Sequence, residues 1–168
     1  TPAIGQGLVF LAFLAGNSAQ DRMQKQQLRH ELEERKLALA KAEGEMEAGR
    51  RIQMGMLPGA ASVAGDKRFD LGALMVPARQ IGGDLYDFFK IDEERLFFAV
   101  GDVSGKGVPA ALFMALGKSL CRSYASRETS DIGTIINLAN AEIARDNPEM
   151  LFITMFAGIL DLGTGEVQ

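Results

Sequence analysis

DLYDFFKIDEERLFFAVGDV, residues 84–103, holds two runs of β-forming residues separated by the polar stretch Asp92–Glu94. The runs read as strands and the polar stretch as a tight turn, so the segment predicts an antiparallel hairpin. Antiparallel pairing brings the start of one strand beside the end of its partner, which places Asp84 near Asp102. Centring the turn between Glu93 and Glu94 sets Asp84 opposite Val103, next to Asp102. Two facing carboxylates repel unless one is neutralised, so a cation between them is the economical arrangement. Carboxylates without His or Cys favour a hard ion, Mg²⁺ or Mn²⁺. Gly82 and Gly83, just before Asp84, then have a use, because residues without Cβ let the backbone approach closely. The alternative is a pair of acids at strand ends facing solvent.

The flanking segments set the architecture. Phe69, Leu71, Ala73 and Met75 alternate in FDLGALMVPA (69–78), a strand pattern. Residues 109–125 have the apolar spacing of an amphipathic helix with Pro109 in its first turn, and residues 130–146 read as a second helix capped by Ser130. Residues 152–161 return to a strand pattern, and Gly163–Glu166 signal a hairpin turn. The order strand, hairpin, two helices, strand predicts an α+β fold with helices on one face of an antiparallel sheet.

In GDVSGKGVPAALFMA (101–115), Gly105, Gly107 and Ala110 match a dinucleotide fingerprint, but no parallel strand with an acid at its tip follows the helix. A phosphate-binding loop of the Walker type fails on spacing and on the residue after Lys106. The stretch reads instead as a glycine-rich turn from the strand of Asp102 into the helix, with Ser104 and Lys106 as turn and surface residues.

Residues 18–54 are rich in helix formers, with Ser18 and Asp21 spaced as an N-cap and its partner. Leu28, Leu32, Leu39, Ala42 and Met46 fall on the a and d positions of a heptad frame that Arg35 and Gly49 interrupt. A homodimer through residues 20–54 is the preferred expectation, against a single helix packed on something else. Ahead of it, residues 3–16 are apolar and uncharged, too short to span a bilayer core of about 20 helical residues, and read either as the last turns of a transmembrane helix or as a buried helix. Breakers at Gly55, Pro58 and Gly59 divide the chain into residues 1–17, a helical linker at 18–57 and a domain from 58 to 168.

Composition excludes several functions. With 47% hydrophobic and 24% charged residues, the 168-residue chain can bury one ordinary core. A net charge of -4 without a basic stripe disfavours nucleic acid. One cysteine, Cys121, and one histidine, His30, rule out a Cys/His zinc cluster, and Cys121 reads as a small core residue.

RRIQMGMLP, ARQIGGDLYDFF, LFFAVGDVSGKGVPAALFMA and FITMFAGILD follow one another as in the SpoIIE-type branch of the PPM (protein phosphatase 2C-like) serine/threonine phosphatases, which residues 49–168 resemble. The resemblance implies part of an αββα sandwich and a binuclear Mn²⁺ or Mg²⁺ centre. It implies that Asp102 bridges the ions, that the Val103 carbonyl ligates one, and that Asp84 belongs to the same catalytic site. Arg79 would contact phosphate, with Gly83 and Asp87 behind the ligands. It also implies a phosphoserine or phosphothreonine substrate on a STAS-type anti-sigma factor antagonist, with the phosphatase domain driven by an upstream sensor through a helical linker. A cytoplasmic domain, attached to the inner membrane if residues 3–16 end a transmembrane helix, is the expectation. Members supply further aspartates from a C-terminal half that lies beyond residue 168, and Asp161 matches none of them. The chain by itself is therefore expected to hold one ion weakly, to lack activity, and to leave the sheet face of Met75, Phe88 and Phe98 partly uncovered. A diguanylate cyclase, suggested by RQIGGDLYDFF, fails at Leu85, and a non-enzymatic docking or dimerisation module is the remaining alternative.

Overall fold

The computed structural model describes residues 2–76, 81–127 and 131–168. Two compact units divide at Glu45 and Met46. The first consists of helix α1, Pro2–Met56, up to residue 45. Good helix formers and pairs one turn apart, Lys25 with Asp21 at 2.7 Å and His30 with Glu34 at 3.3 Å, favour it. Ser18 lies inside this helix and is not the cap expected there, because the helical path continues back to Pro2. No helix among the described residues is long and apolar enough to cross a membrane.

The second unit begins at Met46, earlier than the boundary expected at residue 58, because the last turns of α1 pack into it. Strand β1 (Leu85–Lys90) pairs antiparallel with β2 (Arg95–Val103), which pairs antiparallel with β3 (Ile153–Asp161). Between β2 and β3 come helices α2 (Val108–Ala125) and α3 (Ile132–Arg145). This is the expected α+β order with two exceptions. Residues 69–76 form no strand; Phe69 and Leu71 instead pack as irregular chain against Val63, Phe88 and Leu96. Ser130 lies outside the described residues, and the cap of α3 is Asp131, whose carboxylate accepts from the Thr134 N–H at 3.0 Å and from its hydroxyl. Such a cap contributes about 1 kcal/mol.

Strand alternation gives the sheet two different faces. Phe97, Ala99, Ile159 and Val103 point to the helices, where Phe97, Met114 and Ile135 are fully buried. Each such side chain contributes about 1.5–3 kcal/mol by leaving water. On the opposite face Phe88 and Leu96 are covered by Val63, Phe69 and Leu71. Phe88 is therefore buried, contrary to expectation. Met75 and Phe98 are half-buried, as expected, and Val100, 53% exposed, and Phe156, 67% exposed, lie uncovered at the end of the sheet where β1 starts and β2 finishes. Beyond β3 the expected turn forms: the Asp161 carboxylate accepts from the Gly163 and Thr164 N–H groups, Gly165 takes φ 78°, and Val167 bridges back to Leu160.

Candidate metal centre

The hairpin turn fixes what its open end presents. The Asp92 carboxylate accepts from the N–H groups of Glu94 and Arg95 at 2.9 and 2.8 Å and from Arg95 Nε at 2.7 Å. Ile91 N–H donates to the Arg95 carbonyl, closing a three-residue loop centred on Glu93. Leu85 consequently pairs with Gly101, and one further step sets Asp84 opposite Asp102 rather than opposite Val103. The correction has a consequence for the face each residue occupies. Residues directly opposite share a face, so both acids stand on the sheet face away from the helices, and both remain exposed.

Gly83 lets the two strand ends close. Its carbonyl accepts from the Val103 N–H at 3.3 Å, and a Cβ on Gly83 would lie 2.8 Å from both the Val103 oxygen and Cβ. Only a residue without a side chain tolerates that approach. From the other side, the Thr154 hydroxyl donates to the Asp102 carbonyl at 3.2 Å, tying β2 to β3 at the same level. Past Val103, the Ser104 N–H donates to the Phe152 carbonyl at 2.8 Å, and the Ser104 hydroxyl accepts from the Phe152 N–H at 2.9 Å. Gly105 and Gly107 take φ 95° and 73°, left-handed conformations that turn the chain into α2. The glycine-rich stretch is thus a turn, and the hydroxyl of Ser104 is occupied as an acceptor.

Partial burial, then the charge of Asp102 and a hydrogen bond to it, raise the Asp84 carboxyl above its ordinary pKa. Two acids in contact either share a proton or share a cation. Exposed carboxylate oxygens beside the Val103 backbone form an all-oxygen donor set that fits a hard divalent ion better than a soft one. Among the described residues no group of three or more His, Cys, Asp or Glu side chains converges. Two carboxylates would leave most positions of such an ion to other oxygen donors.

Asp87 was expected behind the ligands, but it lies on the helix-facing side of β1, one residue out of phase with Asp84. It is buried there, with its carboxylate receiving Arg122 Nε at 3.0 Å and Lys118 Nζ at 3.2 Å from α2. Arg122 also stacks on the Phe89 ring at 4.2 Å. This cluster joins α2 to β1 and does not reach the acid pair's face. Arg79, the expected phosphate contact, lies outside the described residues. Cys121 is buried next to the cluster, and burial, followed by the Asp87 charge, pushes its thiol up to about 11, as befits an inert core residue.

Gln53 was not singled out by sequence reasoning. Its side chain is buried and forms two hydrogen bonds with the Gly82 peptide, two residues before Asp84. A polar residue on a helix of polar residues carries no signal in hydropathy that separates it from its neighbours.

Comparison with known proteins bears on the family and the fold. Residues 92–168 match the family Stage II sporulation protein E (SpoIIE). Protein IcfG of Synechocystis sp. (strain ATCC 27184 / PCC 6803 / Kazusa) is 33% identical over 151 residues, 74% of this chain and 23% of that protein. Phosphoserine phosphatase RsbU of Bacillus subtilis (strain 168) is 36% identical over 112 residues, 67% of this chain and 32% of RsbU. The chain thus spans between about a quarter and a third of the length of these two relatives. Among solved structures, the SiaA-PP2C domain of Pseudomonas aeruginosa superposes with TM-score 0.56 at 24% identity, covering 73% of this chain and 49% of that one, which is a likeness of fold. The family match over residues 92–168, which include Asp102 but not Asp84, together with the phosphatase relative and the shared fold, supports the SpoIIE-type branch of the PPM (protein phosphatase 2C-like) phosphatases.

Proposed function

We propose that the protein is a Mn²⁺- or Mg²⁺-dependent phosphoprotein phosphatase of a partner-switching pathway, acting on phosphoserine or phosphothreonine of a STAS-type antagonist. The observation that carries this reading is the opposition of Asp84 and Asp102 on one exposed sheet face, held by the close approach of Gly83 to Val103. Asp84, Asp102 and the Val103 carbonyl would hold the metal. When bound, such a cation compensates charge on the transferring phosphoryl oxygens. The chain's own contribution is positional. The ladder and the Thr154 tie fix the Asp102 backbone, while the exposure of both acids lets a phosphorylated side chain on another protein reach them. Ser104 is not a nucleophile in this reading, because its hydroxyl is committed to the Phe152 backbone. The test is phosphate release from a phosphoserine-bearing STAS protein by the intact protein. Release that needs Mn²⁺ or Mg²⁺ is expected. Release undiminished by chelator, or none with either ion, would overturn the reading.

The helical unit adds a second element to the proposal. Leu28, Leu32 and Leu39 are 64%, 51% and 61% exposed on α1, more apolar surface than an isolated helix leaves in water without cost. A homodimer through residues 20–54 would cover them in a coiled-coil seam. Replacing Leu32 and Leu39 together by Gln is expected to convert dimer to monomer in sedimentation equilibrium. A dimer that survives the double substitution would place its interface elsewhere.

A further inference from the structure

Gly82 precedes β1 and lies outside the strand ladder, so its N–H and carbonyl have no strand partners, and whatever pairs them sets the path of residues 81–84. Gln53, on the last turns of α1, does so. Its Nε2 donates to the Gly82 carbonyl at 2.6 Å, and its Oε1 accepts from the Gly82 N–H at 3.3 Å. One turn earlier, Gly49 makes room for Ile81: a Cβ there would stand 2.6 Å from Ile81 Cδ1. Ile81 and Gly82 are therefore seated on the helix, Gly83 on Val103, and Asp84 follows directly. We propose that Gln53 is a positioning residue for the metal centre, its amide holding the Gly82 peptide so that the Asp84 carboxylate stands opposite Asp102.

The inference rests on the metal reading of the acid pair, and its test separates the two. Gln53→Met keeps the side-chain length and apolar packing but removes both hydrogen bonds. In a titration of the chain with Mn²⁺ alone, read by the spin resonance of free Mn²⁺, this variant is expected to bind about tenfold more weakly, the loss typical of a group that orients a ligand. Asp131 supplies the control. Its carboxylate caps α3, on the helix side of the sheet, accepting from the Thr134 N–H at 3.0 Å. Asp131→Ala is expected to lower stability without moving Mn²⁺ affinity by more than about twofold, as expected for independent sites.

A second measurement needs no substitution. Coupling between ion and clamp is reciprocal, so saturating Mg²⁺ should slow hydrogen exchange of the Gly82 amide in the unsubstituted chain. Unaltered Gly82 exchange with Mg²⁺, or unaltered Mn²⁺ affinity in Gln53→Met while Asp102→Asn loses binding, would overturn this inference alone. Equal Mn²⁺ uptake by the unsubstituted chain and Asp102→Asn would overturn the metal reading and the inference with it.

Discussion

Replacing Asp102 by Asn in the intact protein should reduce Mn²⁺-dependent phosphate release roughly a thousandfold, since cation charge compensation is worth several kcal/mol and each 1.4 kcal/mol is tenfold. Asn keeps the shape and the ladder position opposite Asp84 and removes only the negative charge. The same change should not weaken the fold. Without metal, Asp84 and Asp102 are like charges in contact, and burial together with Asp102 already raises the Asp84 pKa. Asp102→Asn relieves that contact, so thermal unfolding in chelator should be unchanged or slightly higher. Added Mn²⁺ should raise the melting temperature of the unsubstituted protein more than that of the variant, because binding to the native state stabilises it. An active variant would remove Asp102 from the reaction. A variant that melts early in chelator would assign the residue to the fold.

Asp87→Ala carries the largest expected cost in stability. Lys118 is held with only 8% of its side chain exposed, and Asp87 with 3%, so the substitution strands an ammonium group in the core without its counter-charge. Breaking a buried pair from one side typically costs about 3–5 kcal/mol, a large part of the roughly 5–15 kcal/mol that holds a domain together. Arg122 suffers less, being 39% exposed and able to reach water while still covering Phe89. Urea denaturation of the single variant, compared with Asp87→Leu combined with Lys118→Met, checks the cause. The double change removes both charges and should recover most of the loss. A single variant within about 1 kcal/mol of the unsubstituted chain would show the pair to be far more hydrated than its exposure indicates.

Local chemistry alone determined much of this protein. The hairpin was legible in two β-forming runs either side of the polar Asp92–Glu94, α2 in its apolar spacing and Pro109, and the final turn in Gly163–Glu166, because each depends on residues close in sequence. The convergence of Asp84 and Asp102 followed from antiparallel pairing. Their common face did not. A turn centred between Glu93 and Glu94 would put the acids on opposite sides of the sheet, and only the Asp92 carboxylate, by capping a three-residue loop, shifts the register so that they face each other. Tertiary contacts also decided where the globular unit begins, since Gln53 and Gly49 join it through Gly82 and Ile81, far along the chain. They withheld a strand from residues 69–76, whose alternation is met by side-chain packing without a ladder partner. They also drew Asp87 from the site it seemed to adjoin into an ion cluster with Lys118 and Arg122 on a helix about thirty residues away. Spacing shows which acids lie close along the chain; the pleat of a strand, set by what packs on each face, decides which of them share a side.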